Sequence, residues 1–235
     1  MSHYGQFCPV AKAMELLDER WTMLVIRELL QGSRSFNDVR RGVPRMSPAL
    51  LSRRLQTLAH AGVVHRHADG GRVTYTLTPA GRELRAVVEA IGAWGTRWMP
   101  VLGDEDLDPH LLMWDIHRNV ALDEVPPGRT ILRFTFRDVV GSGRDWWLVI
   151  RTESGVDVCD FDPGGEVTAT VDTDLRTLSR VWRGDDRWSE ALRSGRLRLE
   201  APTPVRRAFP RWLKLSVFAA VPRPDPEEGR VAVAR

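Results

Sequence analysis

The stretch SPALLSRRLQTLAHAG, from Ser47 to Gly62, decides how the rest of the chain is read. Its start is marked twice. The Ser47 hydroxyl can accept a hydrogen bond from a first-turn amide, and Pro48 brings a preset φ to the helical position where a missing N–H costs nothing. Leu51, Leu55 and Leu58 recur at i, i+4 and i+7, so a helix here buries one stripe. Ala49, Ser52, Arg53 and Gln56 fall on the opposite face, all short or hydrogen-bonding side chains. Gly62 closes the helix, as a residue tolerant of the left-handed conformation does.

Upstream, Ser35 with Asp38 three residues on predicts a capping box for a helix that turns Phe36, Val39 and Val43 inward and is ended by Gly42 and Pro44. Trp21 to Gly32 is apolar at Trp21, Leu24, Val25, Ile26, Leu29 and Leu30. These are too many positions for one surface stripe, and they predict the most buried helix of this half. Pro9 to Asp18 predicts a short amphipathic helix on Val10, Ala13, Met14 and Leu17. After Gly62 the period changes to two: Val63 to His67 and Arg72 to Leu77 flank the turn signal Ala68-Asp69-Gly70-Gly71, which predicts a β-hairpin. Thr78-Pro79 then opens a long helix, Gly81 to Met99, with Leu84, Val87, Val88, Ile91, Trp94 and Trp98 along one side. Two short helices about a tight turn followed by a hairpin are the parts of a winged helix-turn-helix, whose second helix enters the major groove of double-stranded DNA.

Charge agrees with that division of labour. The chain of 235 residues carries a net charge of +3, but residues 1–102 hold 14 basic and 8 acidic side chains while residues 103–235 hold 20 and 23. The first part is the one suited to a polyanion. Lysine occurs only at Lys12 and Lys214, so phosphate contacts fall to guanidinium groups. Cys8 and Cys159 lie in different halves, which excludes a disulfide framework and a zinc spacing. No signal-peptide pattern and no apolar run of membrane-spanning length is present, so a cytoplasmic protein without a membrane partner is expected.

Residues 8–99 resemble the HxlR-type winged helix-turn-helix transcriptional regulators. The matching positions are Cys8-Pro9, Trp21-Thr22, Met23 to Ile26, Arg27-Glu28-Leu29, Phe36-Asn37-Asp38-Val39, Ser47-Pro48, Leu51, Arg54-Leu55, Leu58 and Gly62. They continue with Val73, Tyr75, Leu77-Thr78-Pro79, Gly81 and Leu84. The resemblance implies a homodimer joined through the first and last helices on inverted-repeat operators, and it puts Cys8 where some members carry a sensing cysteine. Ala49 and Arg53 depart from residues common in the family, so the operator sequence does not carry over.

From Gly103 to Asp108 the chain is acidic and loop-like, and His110 to Leu122 reads as a helix. Strands are expected at about 129–138, 145–152, 155–161 and 166–172, helices at about 173–183 and 186–194, a strand at Leu197 to Glu200 and a helix from Thr203. A meander of strands followed by helices is an α+β layout. Ala169 to Glu200 resembles, in order and pattern, the C-terminal half of a sterol-carrier-protein-like domain. That resemblance implies an apolar tunnel for a hydrophobic small molecule. The expected organisation is a DNA-binding and dimerisation domain at 1–102, a linker and connecting helix at 103–128, the α+β domain at 129–222 and a disordered tail at 223–235.

Arg53 and Gln56 match guanine and adenine edges in bidentate geometry. With Ser47, Ala49 and Ser52 they form the expected base-reading face, while Asn37, Arg45, Arg66 and Arg72 are candidate contacts beside it. Phe134, Trp146, Trp147, Leu178, Trp182, Phe209 and Trp212 are the candidate ligand pocket, although the same residues would serve a plain core. Asp185-Asp186 reads as a helix cap. His60, His65 and His67 lack a carboxylate or thiol to complete a metal set, and no nucleophile–base pair or paired carboxylates are placed for catalysis, so neither a cofactor nor an enzyme is expected. Two regulators remain open. In one, a hydrophobic effector in the C-terminal domain controls DNA binding. In the other, a constitutive or Cys8-gated regulator uses that domain only for dimerisation or partner docking.

Overall fold

Val25, Ile26 and Leu29 of one helix meet Leu51, Leu55 and Leu58 of another, all at 7% exposure or less, and make the centre of the N-terminal core. The computed structural model describes residues 3–99 and 101–224, and the chain divides at Trp94–Gly95 into two compact units, each with its own core. Of the tail expected at 223–235, residues 225–235 lie outside the described residues. Arg223 is held, donating to the Asp185 carboxylate at 2.7 Å and the Arg183 carbonyl at 3.0 Å.

The first unit runs α1 (Pro9–Leu17), α2 (Thr22–Leu30), α3 (Phe36–Gly42), α4 (Pro48–His60), β1 (Val64–Asp69) and β2 (Arg72–Leu77), then enters α5 (Pro79–Trp98). It is a winged helix-turn-helix. Trp21 precedes α2 with a left-handed φ of 78°, a conformation disfavoured for a bulky side chain, so the helix starts one residue later than its apolar pattern. α2 is not buried all round as expected: Leu24 stays 40% exposed. Part of the interior goes instead to the wholly buried Glu28, which accepts hydrogen bonds from Arg27 and Ser33.

The second unit contains α6 (Pro109–His117), β3 (Arg129–Phe136), β4 (Asp145–Arg151), β5 (Gly155–Cys159), β6 (Ala169–Thr173), α7 (Leu175–Arg183), α8 (Trp188–Arg193), β7 (Leu197–Glu200) and α9 (Thr203–Trp212). α6 is shorter than its sequence pattern, because Val120 leaves the helix to bridge Leu213. Nor is it merely a connector: Leu112, Met113 and Ile116 are part of this unit's core. The sheet order is β5-β4-β3-β6-β7. Only β3, β4 and β5 form the expected meander; β6 crosses back to pair in parallel with β3, giving a mixed α+β sheet. Leu132, Phe134 and Phe136 of β3 share the core with Trp146, Leu148 and Ile150 of β4. Asp185 and Asp186 do not cap α8, which starts after Arg187 without a side-chain cap. They are ion-pair hubs, Asp185 with Arg183 and Arg223, and Asp186 with Arg180 and Arg196.

Candidate nucleic-acid interface

The interface is built on two well-terminated helices. In α3 the Ser35 hydroxyl accepts from the Asp38 amide at 3.1 Å and the Asp38 carboxylate accepts from the Ser35 amide at 3.1 Å, a reciprocal cap. Burial pushes the Asp38 carboxyl up, but the Ser35 hydrogen bonds and the Arg41 charge outweigh it and hold the group below the ordinary carboxylate range. In α4 the Ser47 hydroxyl accepts from the Leu50 amide at 3.3 Å, and Pro48 occupies the first turn. With Leu51, Leu55 and Leu58 buried, the helix cannot rotate about its axis without exposing them, so the outward face is set by the core.

Two charged residues outside the expected base-reading face hold the helices of this unit together, Arg54 fastening α4 and Arg27 fastening α3. Arg54 is 6% exposed, ion-paired with Glu19 and donating to the Arg20 carbonyl at 3.3 Å. It ties α4 to the turn between α1 and α2. Its spacing gave the signal, since position i+3 from Leu51 lies on the buried stripe. Arg27 pairs with Glu28 at 2.8 Å and donates to the Gly42 carbonyl at 2.9 Å, tying α2 to the end of α3.

The hairpin pairs Val64 with Leu77 through Asp69 with Arg72 in unbroken antiparallel register. Gly70 and Gly71 turn it with φ of 52° and 82°, the two positive values that a tight two-residue turn of this twist requires. Its middle is stitched to the helix-turn-helix by the Ser35–Thr74 bridge and by the Tyr75 amide donating to the Arg34 carbonyl at 2.8 Å. At its base, the end away from the Gly70–Gly71 turn, the Thr78 hydroxyl donates to the Gly62 carbonyl at 2.7 Å and accepts from the Gly81 amide at 3.1 Å.

Asn37, Arg45, Ser47, Ala49, Ser52, Arg53, Gln56, Arg66 and Arg72 are all exposed. Ala49, Ser52, Arg53 and Gln56 share one side of α4, as spacings of three and four require. The wing candidates separate. Arg66 pairs with the buried Tyr75 and so shares the core-side face of the hairpin, whereas Arg72 shares the other face with His65 and His67. His67 is hydrogen-bonded to Thr76 at 2.7 Å. Cys8 precedes α1, and hydrogen bonds from the Ala11 and Val10 amides pull its thiol below the ordinary value despite some desolvation.

In the second unit, Phe134, Trp146, Leu178, Trp182, Phe209 and Trp212 come together in one buried cluster. Trp147 does not join them. The register pairs it with Arg133, on the opposite face of the sheet from the Phe134–Trp146 pair, and the Arg133 guanidinium lies 5.6 Å from its ring centre.

Residues 16–102 match the family described as HxlR-like helix-turn-helix. Over 99 residues the chain is 35% identical to the uncharacterized HTH-type transcriptional regulator YvaP of Bacillus subtilis, an overlap of 40% of this chain and 92% of that relative. The chain belongs to the HxlR-like helix-turn-helix family. Other relatives of this HxlR-like chain include the uncharacterized HTH-type transcriptional regulator Mb3122 of Mycobacterium bovis, 38% identical over 43% of this chain and 65% of that protein. The HTH-type transcriptional regulator YodB of B. subtilis is 33% identical over 39% of this chain and 85% of its own length. The reduced form of YodB, as solved, overlaps 38% of this chain with a TM-score of 0.35. Among the described residues no helix is long and apolar enough to cross a membrane.

Proposed function

We propose that this HxlR-like protein is a homodimeric, sequence-specific DNA-binding transcriptional regulator of the cytoplasm. The observation that carries the reading is the α4 face of Ala49, Ser52, Arg53 and Gln56. It is left to solvent while the opposite stripe is locked into the core, and it stands between a capped helix and a wing. Arg53 and Gln56 read base edges, and Arg45, Asn37, Arg66 and Arg72 hold the backbone beside them. Dimerisation is supported by Val87, Ile91 and Trp94, an exposed apolar row at helical spacing on α5. Selecting bound fragments from genomic DNA supplies the operator. Arg53→Ala is then expected to weaken specific binding by about 1–3 kcal/mol, leaving binding to unrelated DNA nearly unchanged. Equal loss on both would make Arg53 a phosphate contact, and no loss would reject the face.

The C-terminal unit, read as sterol-carrier-protein-like, is the effector domain for a hydrophobic small molecule, and no catalytic step is assigned to it. Two buried indole N–H groups support this reading. Those of Trp188 and Trp212 have no acceptor among the described residues, and both rings adjoin Phe209. Leaving such a donor unmatched costs about 1–3 kcal/mol, a cost that a ligand carbonyl would relieve. A second reading, gating through Cys8, is favoured by the lowered thiol, since the thiolate is the reactive form. Operator affinity measured with a long-chain fatty acid and, separately, with a thiol oxidant distinguishes them: the first responds only to the acid, the second only to the oxidant.

A further inference from the structure

A cavity of about 270 Å³ opens in the N-terminal unit at the base of the hairpin, the end opposite the Gly70–Gly71 turn. Leu29 and Leu30 at the end of α2 and Leu77 on β2 give it an apolar wall. Arg34, from the turn before α3, and Arg82 and Arg85, from the first turns of α5, give it a cationic one, and among the described residues none that lines it is acidic. Arg85 also meets the Glu89 carboxylate at 3.8 Å, one turn along the helix and outside the lining.

Two of these guanidinium groups are already positioned. Arg82 Nη1 donates to the Leu77 carbonyl at 2.8 Å, and Arg85 Nη2 donates to the Leu30 carbonyl at 3.2 Å. Each commits one N–H to the cavity wall, and a guanidinium has five. What remains is a pair of anchored forks beside a leucine surface, a combination that suits a planar, bidentate anion carried on an apolar body. A phosphate or sulfate ion would leave the leucine wall uncovered, and a neutral hydrocarbon would desolvate cations without pairing them.

We infer that this cavity is a binding site for a small aromatic carboxylate. Its ring lies against Leu29, Leu30 and Leu77, and its carboxylate is held by Arg82 and Arg85, with Arg34 at the rim. The volume, just below the usual range for ligand pockets, limits the ligand to one or two fused rings. The occupant touches α2, the turn into α3, the wing strand and α5 together. Because the Tyr75 amide and the Ser35–Thr74 bridge already join that turn to the wing, occupancy changes how firmly the wing is held against the helix-turn-helix. Ligand and DNA affinities are thereby linked reciprocally. The site is distinct from the hydrophobic-effector domain of the C-terminal unit and does not depend on it.

Isothermal titration of the full chain with 1-naphthoate, and with 1-naphthamide as its neutral counterpart, tests the assignment. Naphthoate is expected to bind about tenfold or more tightly than the amide, the factor that corresponds to about 1.4 kcal/mol for a charge-assisted pair. Arg85→Gln, at an exposed position, is expected to abolish that preference, and Arg85→Lys, which keeps the charge but loses the fork, to restore part of it. Equal binding of the two probes, naphthoate binding unchanged in Arg85→Gln, or no binding at millimolar naphthoate would each overturn the site. So would a result in which Arg85→Gln weakens DNA binding without any naphthoate binding in the parent, which would make the cluster a DNA-backbone contact.

Discussion

At Gly42 any Cβ would fall inside the Glu28 carboxylate. That carboxylate is wholly buried and engaged by Arg27 and Ser33, so it has nowhere to move. Gly42→Ala is therefore expected to destabilise the protein by about 1–3 kcal/mol, the usual range for overpacking, measured as a lower urea midpoint with an unchanged slope. A cost near zero would mean that Glu28 can swing aside. The residue scale is where the sequence was least transparent. Gly42 reads as a helix terminator because that is its local effect, and its second role comes from a carboxylate on the preceding helix. Glu28 gave no warning, since a charged residue between apolar neighbours looks solvated until its partners are known. Arg54 could have been found: a cation at i+3 from one buried leucine and i−4 from another lies on the apolar stripe, and only a partner such as Glu19 makes that tolerable.

Elements were more legible, because caps and periods are local. Ser35 with Asp38, Ser47 with Pro48, and Gly70-Gly71 between alternating segments each produced the expected terminus or turn. The α3 cap also carries a pH dependence. Since the Asp38 carboxyl is lowered in the folded protein, its stabilisation is fully present above the unfolded carboxylate value of about 3.9 and is lost as pH falls through the lower folded value. Ser35→Ala removes the hydroxyl partner, so it is expected to cost about 1 kcal/mol at pH 7 and noticeably less at an acid pH below the folded Asp38 value. Denaturation of both proteins at the two pH values measures this, and a difference independent of pH would assign the cost to the helix start alone. α6 was read too long for a physical reason: Val120 continues the apolar pattern but serves a bridge to Leu213, a partner far along the chain.

At the scale of the whole molecule, chain order and spatial order part company. The return of β6 to the side of β3, and the separation of Trp147 from Trp146, depend on strand pairing, which no local window contains. Alternation did require the two tryptophans to face opposite ways, but it could not name Arg133, on the adjacent strand, as the neighbour of Trp147. Assembly belongs to this scale too. Ile91 and Trp94 are about half exposed on α5, so replacing Ile91 with glutamate should leave the fold of the unit unchanged. In the proposed homodimer it is expected to convert a dimer to a monomer in sedimentation equilibrium and to weaken operator binding by tenfold or more, about 1.4 kcal/mol. A dimer that survives Ile91→Glu would place the contact elsewhere.

The junction at Gly81 has a mechanical consequence. No Cβ fits there against the Val63 carbonyl, and the Thr78 hydroxyl spans the strand and the helix, so β1 and α5 are clamped where they meet. The hairpin is then a lever with its fulcrum at Thr78. A six-residue strand is about 20 Å long, so a rotation of about 3° at the fulcrum carries the Gly70–Gly71 tip about 1 Å, enough to break a hydrogen bond. A rotation of α5 therefore reaches the wing as a displacement that grows toward the tip, resisted by the ties of Thr74 and Tyr75 to the helix-turn-helix.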